Sequence, residues 1–364
     1  MPPPSRWARP FPLAHEARAN SFPNPKEANN MTTRTREIHL KSRPTGVPTR
    51  EAFALVETTL APVAAGQILV RNTWMSVDPY MRGRMVDRKS YIAPFALDAA
   101  LDGAAVGIVE QSADPAFAIG DHVVHFAGWR EHVVLDGGSA TRIATDGIAP
   151  QTYLGALGFP GLTAYVGLVR IAQARAGETI FVSAASGAVG STVAQIAKLL
   201  GLRVVASVGS RDKAAWLLNE VGVDAVINYR EETDLAGALA QAAPEGIDIY
   251  FDNVGGEHLE AALAVANDHA RFVLCGMIAG YNAESGARGP GNIFLAIEKR
   301  IHLQGLIASD HVTLFPEFTA VMSDWIRQGQ VKLRETVHDG LESAPDAFIG
   351  LFKGANTGKM LVRL

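Results

Sequence analysis

The chain has 364 residues, 48% hydrophobic and 19% charged, with 33 Lys and Arg against 37 Asp and Glu and a net charge of −4. At about 150 residues per domain the length predicts two domains, and the apolar fraction excludes a largely disordered chain. The charge balance argues against a nucleic-acid binder that works by neutralising phosphates, and the single cysteine, Cys275, excludes an internal disulfide and a Cys-rich zinc site and points to a reducing, cytoplasmic compartment.

Residues 1–30 hold seven of the 19 prolines and no apolar periodicity. They lack the apolar core of a secretory signal and read as a disordered leader, or as sequence upstream of a start at Met31. Arg6, Arg9 and Arg18 hint at a transit peptide; Glu16, Glu27 and the prolines stand against it. From Arg36 to about Gln151, short Val- and Ile-rich runs at 37–40, 53–56, 68–71, 106–109, 122–126 and 132–135 are separated by Gly, Pro and Asp. They predict an antiparallel, barrel-like domain with irregular loops. Uncharged stretches at 147–169 and 179–197 carry too many Pro, Gly, Ser and Gln residues for a membrane span and read as core.

After about Gly158 the pattern changes. Strand-like runs at 179–183, 203–207, 225–228, 247–251, 271–275 and 303–307 alternate with helical stretches at 189–200, 212–221, 235–242 and 258–266. This alternation predicts right-handed βαβ units, and six strands is the count of a doubly wound dinucleotide fold. Beyond Arg327, a strand at 332–337, a helix at 344–352 and a strand at 360–363 form a tail that can return to the first domain.

The strongest local motif is Val182-Ser-Ala-Ala-Ser-Gly-Ala-Val-Gly190, between a predicted strand and a predicted helix. Set against G-x-G-x-x-G, Ala185 replaces the first glycine while Gly187 and Gly190 keep the others. Ser186 to Gly190, with Ala188 and Val189 opening the helix, would offer free N–H groups to a pyrophosphate. An ordinary strand-to-helix turn is the alternative. The next strand ends at Ser210 without the acid that receives a ribose 2′-OH, and Arg211, Asp212 and Lys213 follow. Hydroxyl plus cation suits a 2′-phosphate and so NADP(H) over NAD(H). Alternatively, Arg211 and Lys213 are solvated helix residues. Of the ten histidines, His122, His125 and His132 cluster without a nearby cysteine, and packing is the expected role; no metal is expected.

Several segments together resemble the zinc-independent medium-chain dehydrogenase/reductases, in the subgroup of prostaglandin reductase, leukotriene hydroxydehydrogenases, plant double-bond reductases and bacterial curcumin reductase. They are Met75-Ser-Val-Asp-Pro-Tyr-Met-Arg-Gly-Arg-Met85, Gly158-Phe-Pro-Gly-Leu-Thr-Ala-Tyr165, the Ala-Ala-Ser-Gly-Ala-Val-Gly turn, Tyr250-Phe-Asp-Asn-Val-Gly-Gly256, Cys275-Gly-Met-Ile-Ala-Gly-Tyr-Asn282 and Gly358-Lys-Met-Leu-Val362. The resemblance runs from about Thr32 to Leu364. It implies an α/β protein: a GroES-like, mostly-β catalytic domain (31–157 and 330–364) split by a Rossmann doubly wound parallel sheet (158–329), commonly dimeric, with the active site between them. The implied activity is NADPH-dependent reduction of the carbon–carbon double bond of α,β-unsaturated ketones and aldehydes. By the same resemblance Lys213 and Tyr229 hold the 2′-phosphate, with Ser210 in the same stretch; Asn253, Cys275, Gly276 and Asn282 line the nicotinamide side; Tyr281 is the active-site phenol; and Tyr80 and Tyr91 line the substrate pocket. Gly280 stands where many relatives carry Ser or Thr before the tyrosine, which puts the hydrogen bonding of that loop in question.

In that mechanism, charge develops on the carbonyl oxygen and Tyr281 donates to it, while the α-carbon proton comes from solvent or Tyr281. Each tyrosine also has a packing reading. Asp78, Arg82 and Arg84 are expected to fix a loop by internal ion pairs, Trp129 and Phe95 to pack or to shape a pocket, and Cys275 to act as a small buried hydrophobe. The competing functions are an NADPH quinone reductase, a non-catalytic NADPH-binding sensor and a zinc alcohol dehydrogenase.

Overall fold

The computed structural model describes residues 32–284 and 288–364. The expected leader lies outside the described residues. Two sheets organise the chain. The first domain is built on β1 (Arg34–Leu40), β2 (Phe53–Thr59), β3 (Gln67–Ser76), β4 (Ala105–Ser112), β5 (His122–His125), β6 (His132–Asp136) and β7 (Ala140–Arg142), with the short helix α1 (Met81–Arg84) after β3. β1 and β2 form their own antiparallel pair, and β3 is much longer than its 68–71 signal. The burial of β2 alternates along its length, as a sheet with one wet face requires.

α2 (Phe159–Tyr165) leads into the second domain. There β8 (Thr179–Val182), α3 (Ala188–Leu199), β9 (Arg203–Val208), α4 (Arg211–Trp216), β10 (Ala225–Asn228), α5 (Leu235–Ala242), β11 (Ile247–Asp252), α6 (Gly256–Val265), β12 (Ala266–Leu274), α7 (Leu295–Glu298) and β13 (His302–Gly305) follow. The six strands form one parallel sheet in the order β10-β9-β8-β11-β12-β13, the doubly wound order that reverses direction between β8 and β11. Every residue of β8 is buried, because helices cover both faces of the sheet.

α2 was not legible from its sequence because Pro160 and Gly161 read as breakers. Pro160 sits in the first turn, where no N–H is needed. Gly161 is required by space: a side chain there would collide with the Ala156 carbonyl and reach 2.8 Å from the Phe318 ring. Phe318 belongs to α8 (Phe315–Arg327).

The tail returns to the first domain. β15 (Lys359–Arg363) pairs antiparallel with β3, Leu361 opposite Ser76, and α9 (Ala344–Leu351) buries Phe348 against Phe53 and Trp129, ring centroids 6.2 Å apart in each case. The strands between Arg36 and Gln151 pair antiparallel, as expected. The tail adds a parallel pair, β14 (Glu335–Asp339) with β15. The connection through α9 allows that, where a hairpin would not. Trp129 and Phe95 are core residues, 0% and 3% exposed, with the Arg84 guanidinium 4.0 Å over the Phe95 ring.

Between α9 and β15 the chain passes the second domain. The Gly358 N–H donates to the Ser186 carbonyl at 2.7 Å, and Gly358 has φ +70° with its α-hydrogen side closed by the Arg334 carbonyl. Gly358→Ala combines a left-handed backbone with a backbone clash. It is expected to lower stability by about 2–4 kcal/mol, read as a fall in the denaturant midpoint; an unchanged midpoint would show that this segment is not held.

Candidate active site

A cleft of about 1990 Å³ runs between the two sheets, at the carboxyl ends of the parallel strands. Its floor is the β8–α3 turn. Ser186, Gly187, Ala188, Val189 and Gly190 line it, and α3 begins at Gly187 without any side-chain cap. Uncapped N–H groups and the helix dipole therefore face open space, which is what a pyrophosphate requires. Gly190 is dictated by packing: a Cβ there would run into the Ala184 carbonyl and come 2.8 Å from the Ala185 Cα. Ala185 itself is fully buried, and its N–H donates to the Ser207 carbonyl at 3.0 Å. It shapes the turn and does not reach the cleft. The left-handed residue of the turn is its neighbour Ala184, φ +47°.

At one end of the cleft stand Lys213, Tyr229 and Arg230. Lys213 Nζ donates to the Gly354 carbonyl at 2.7 Å, and Arg230 Nη2 to the Lys353 carbonyl at 3.3 Å. Burial, and then the charge of Arg230, lowers the Lys213 pKa, as expected for cations gathered without an anion. A glycine at the end of β9 makes room for them: a Cβ on Gly209 would lie 2.8 Å from the Tyr229 hydroxyl and 3.2 Å from Arg230 Nε. Ser210 is not on the cleft wall; it caps α4, its hydroxyl accepting from the Lys213 N–H. Arg211 turns outward to Glu231 at 2.8 Å. Arg230 and Gly209 were missed in the sequence, although Arg230 directly follows Tyr229. With no carboxylate in this group, two cations and a phenol fit a 2′-phosphate.

Behind Tyr229 lies His258, its ring 5.1 Å away edge-on and its Nε2 2.8 Å from the buried Ser207 hydroxyl. Burial lowers its pKa to about 4, so the ring is neutral.

The middle of the cleft is set by β11 and β12. The Asn253 side chain donates to the Ser183 carbonyl at 2.8 Å, tying the end of β11 to the phosphate turn. Asp252, fully buried, accepts from the N–H groups of Val254 (2.9 Å) and Gly255 (2.8 Å) and from the Tyr250 hydroxyl (2.7 Å). Cys275 and Gly276 line the wall beside it. The Cys275 thiol is pushed up to about 12, by burial and then by Asp252, and so is no nucleophile near neutral pH.

Tyr281 stands over Gly276: a Cβ on that glycine would lie 3.1 Å from the phenol oxygen. Burial raises the phenol pKa; a backbone contact with Met277 pulls the other way, and Cys275, Tyr91 and Asp252 raise it further. The hydroxyl is therefore protonated and able to donate. The loop's hydrogen bonding is closed by backbone groups despite Gly280: Gly280 N–H to Met277 carbonyl (2.9 Å), Tyr281 to Ile278 (3.3 Å) and Ala283 to Gly280 (3.2 Å). Tyr80 and Tyr91 line the same cleft from the first domain. Tyr91 is 60% exposed. The Tyr80 hydroxyl is buried without a hydrogen-bond partner among the described residues, and burial followed by the Asp78 charge pushes its pKa well above the ordinary phenol value.

The expected ion pairs of the first-domain motif form for Asp78, which meets Lys359 Nζ at 2.6 Å, and for Arg84, which meets Asp102. Arg82 has none among the described residues; it bonds backbone carbonyls and Asn282. His125 is satisfied on both ring nitrogens, by Asn72 at 2.8 Å and by the Ala127 N–H at 3.1 Å. Among the described residues no group of three or more His, Cys, Asp or Glu side chains is placed to hold a metal.

Two family models match: an N-terminal domain of oxidoreductases over residues 36–143, and a domain described as a zinc-binding dehydrogenase over 188–327. NADPH-dependent curcumin reductase of Escherichia coli is 41% identical over 91% of this chain and 97% of its own. The NADP-dependent 2-alkenal reductase of Nicotiana tabacum is 41% identical over 90% of this chain and 96% of its own. The structure of CurA from Vibrio vulnificus in complex with NADPH matches with a TM-score of 0.86 at 42% identity, over 90% of this chain and 98% of that one. With its parallel dinucleotide sheet, its split β domain and a cleft that brings Lys213, Tyr229, Asn253 and Tyr281 together, the chain belongs to the medium-chain dehydrogenase/reductase family, in the double-bond reductase subgroup.

Proposed function

We propose that this protein is an NADPH-dependent reductase of the carbon–carbon double bond of α,β-unsaturated ketones and aldehydes. The observation that carries the reading is the placement of a protonated, half-buried phenol, Tyr281, over Gly276 at the carboxyl end of the parallel sheet, in one cleft with the uncapped N-terminus of α3. The named activities of the curcumin and alkenal reductases support it. The domain division at 158 and 330 belongs to the same reading.

NADPH, when bound, supplies the hydride that goes to the β-carbon. The chain's own residues do the rest. Ser186, Gly187, Ala188, Val189 and Gly190 hold the pyrophosphate, while Lys213, Tyr229 and Arg230 hold the 2′-phosphate. Asn253, Cys275, Gly276 and Asn282 form the wall along the nicotinamide. Negative charge develops on the substrate carbonyl oxygen, and Tyr281 donates its hydroxyl proton in a hydrogen bond there. Tyr80 and Tyr91 close the substrate side. A donor so placed acts where charge appears and contributes about 3–4 kcal/mol.

A homodimer and cytoplasmic residence complete the reading. Ile293, Phe294 and Ile297, 48%, 58% and 79% exposed, lie in and just before α7, the helix that precedes the edge strand β13, and support a second copy as partner. The single cysteine supports a reducing compartment.

The first test follows NADPH absorbance against a 2-enal, a 3-en-2-one, an aryl enone and a quinone. Saturated carbonyl product is expected from the first three; turnover of the quinone alone would overturn the reading. Tyr281→Phe is expected to cut kcat for the enone roughly 100-fold with NADPH affinity unchanged. Because burial raises the Tyr281 pKa, the donor form persists through pH 7 and up past about 10, so kcat should show no Tyr281-dependent loss in that range. Loss of Lys213 or Arg230 as alanine should raise the NADPH KM roughly 10- to 100-fold and leave NADH nearly unaffected; an equal effect on both cofactors would move the 2′-phosphate site elsewhere. Ile297→Asp should shift the protein to the monomer position in gel filtration; an unmoved dimer would place the interface on another face.

A further inference from the structure

Arg82 is 4% exposed and lies in α1, within the first-domain motif that also carries Tyr80. Its guanidinium is used as an organiser of backbone. Nε and Nη2 donate to the Gly46 carbonyl at 3.3 and 2.9 Å, and Nη2 also to the Pro44 carbonyl at 3.2 Å. Nη1 is buried with no partner, and no carboxylate pairs with the charge among the described residues. A buried cation without a counter-ion is costly and persists only where its hydrogen bonds fix something.

What it fixes outside its own domain is Asn282, whose Oδ1 accepts from Arg82 Nε at 3.0 Å across 200 residues of sequence. Asn282 directly follows Tyr281. Among the described residues, the other hydrogen bonds of the 277–284 loop stay within it or reach only the Asn253 and Val254 carbonyls of its own domain. The Arg82–Asn282 bond is thus the loop's one hydrogen-bonded tie to the opposite side of the cleft. The facing surfaces meet again one step further on: a Cβ on Gly46 would lie 3.5 Å from Glu284 Oε1.

We propose that Arg82 is a positioning residue for the Tyr281 phenol: from the first domain it holds Asn282, and with it the loop that carries Tyr281, across the cleft. The proposal rests on Tyr281 as the hydrogen-bond donor. The guanidinium does not line the cleft; it restricts where the phenol stands relative to Tyr80 and Tyr91. A displacement of the order of 1 Å at such a donor is enough to cost a large factor in rate.

The test uses Arg82→Gln, Asn282→Ala and Asn282→Asp in the full chain. Asn282→Ala leaves the Arg82 bonds to Pro44 and Gly46 in place, so it keeps the inference testable if Arg82→Gln folds poorly. Both Arg82→Gln and Asn282→Ala are expected to lower kcat for an aryl enone roughly 10- to 100-fold, the pair together no more than either alone. In Arg82→Gln, whose side chain does not line the cleft, the NADPH dissociation constant should stay within about twofold of native. Asn282→Asp keeps the acceptor oxygen and should restore most of the rate. In a Tyr281→Phe background the cost of Arg82→Gln should vanish; an equal loss in both backgrounds would overturn the proposal. Hydrogen exchange gives an independent readout: amides of the 277–284 loop should exchange faster in Arg82→Gln and Asn282→Ala, and unchanged exchange would overturn the anchor itself. Should Tyr281→Phe prove as fast as native, the donor reading fails, while the exchange result still decides whether Arg82 holds the loop.

Discussion

The arrangement depends on one short piece of backbone, residues 353–359, which leaves α9 and crosses to the second domain before becoming β15. Its carbonyls at Lys353 and Gly354 hold the two cations, Arg230 and Lys213. Its Gly358 N–H meets the Ser186 carbonyl of the phosphate turn. Its Lys359 ammonium, 5% exposed, reaches Asp78 on the substrate side. Three parts of the cleft are thus referenced to one short segment, and Gly358 is a glycine because the Arg334 carbonyl occupies the place of a side chain. The segment is a turn closed by the Gly354 and Ala355 N–H groups, and its hydrogen bonds to both sides tie the two sheets together.

The second domain was legible in the sequence because buried parallel strands such as β8 leave a continuous apolar run and alternate with helix-length segments, and each of the six was found within a few residues. The first domain was legible as strands but not as pairings. Nothing local in 332–337 announces that β14 lies parallel to β15, since that register is fixed by α9 packing Phe348 against Trp129. In the site, residues whose chemistry is declared by a motif landed on the cleft: Gly187, Lys213, Tyr229, Asn253, Tyr281. Those whose direction is set by a turn did not follow the motif. Ala185 turned into the core because Ser207 takes its N–H, and Ser210 became a helix cap. Arg211 turned outward to Glu231, and Arg230, to which the sequence reading gave no role, stands on the cleft, because Gly209 opens space on the Tyr229 side of β9. A preference for outward or inward is a tertiary property, and sequence periodicity does not carry it at a strand end.

Charge is distributed unevenly along the cleft, and the distribution agrees with the proposed chemistry. Cations gather at the Lys213 end, where burial and mutual repulsion lower the Lys213 pKa and an incoming phosphate would raise it again by neutralising both. At the Tyr281 end the Cys275 thiol and the Tyr80 and Tyr281 phenols are all raised by burial and so keep their protons. A carbonyl oxygen that gains charge in such surroundings meets oriented O–H and N–H dipoles in place of water, and those dipoles need no reorganisation when the charge appears.

Asp252 supports this wall from below. Its carboxyl lies under the wall formed by Cys275 and Gly276, and burial raises its pKa against the lowering effect of the Gly255 and Val254 N–H groups and the Tyr250 hydroxyl. All of these partners meet Oδ1, while Oδ2 has none. A group held that way fixes the turn into Asn253 through one oxygen and so orders the floor of the site. Rigid backbone from Asp252 on one side and a loop tied through Asn282 on the other leave Tyr281 between two fixed points. A phenol that donates without changing its own charge relies on that placement, because geometry is the only strength such a donor has.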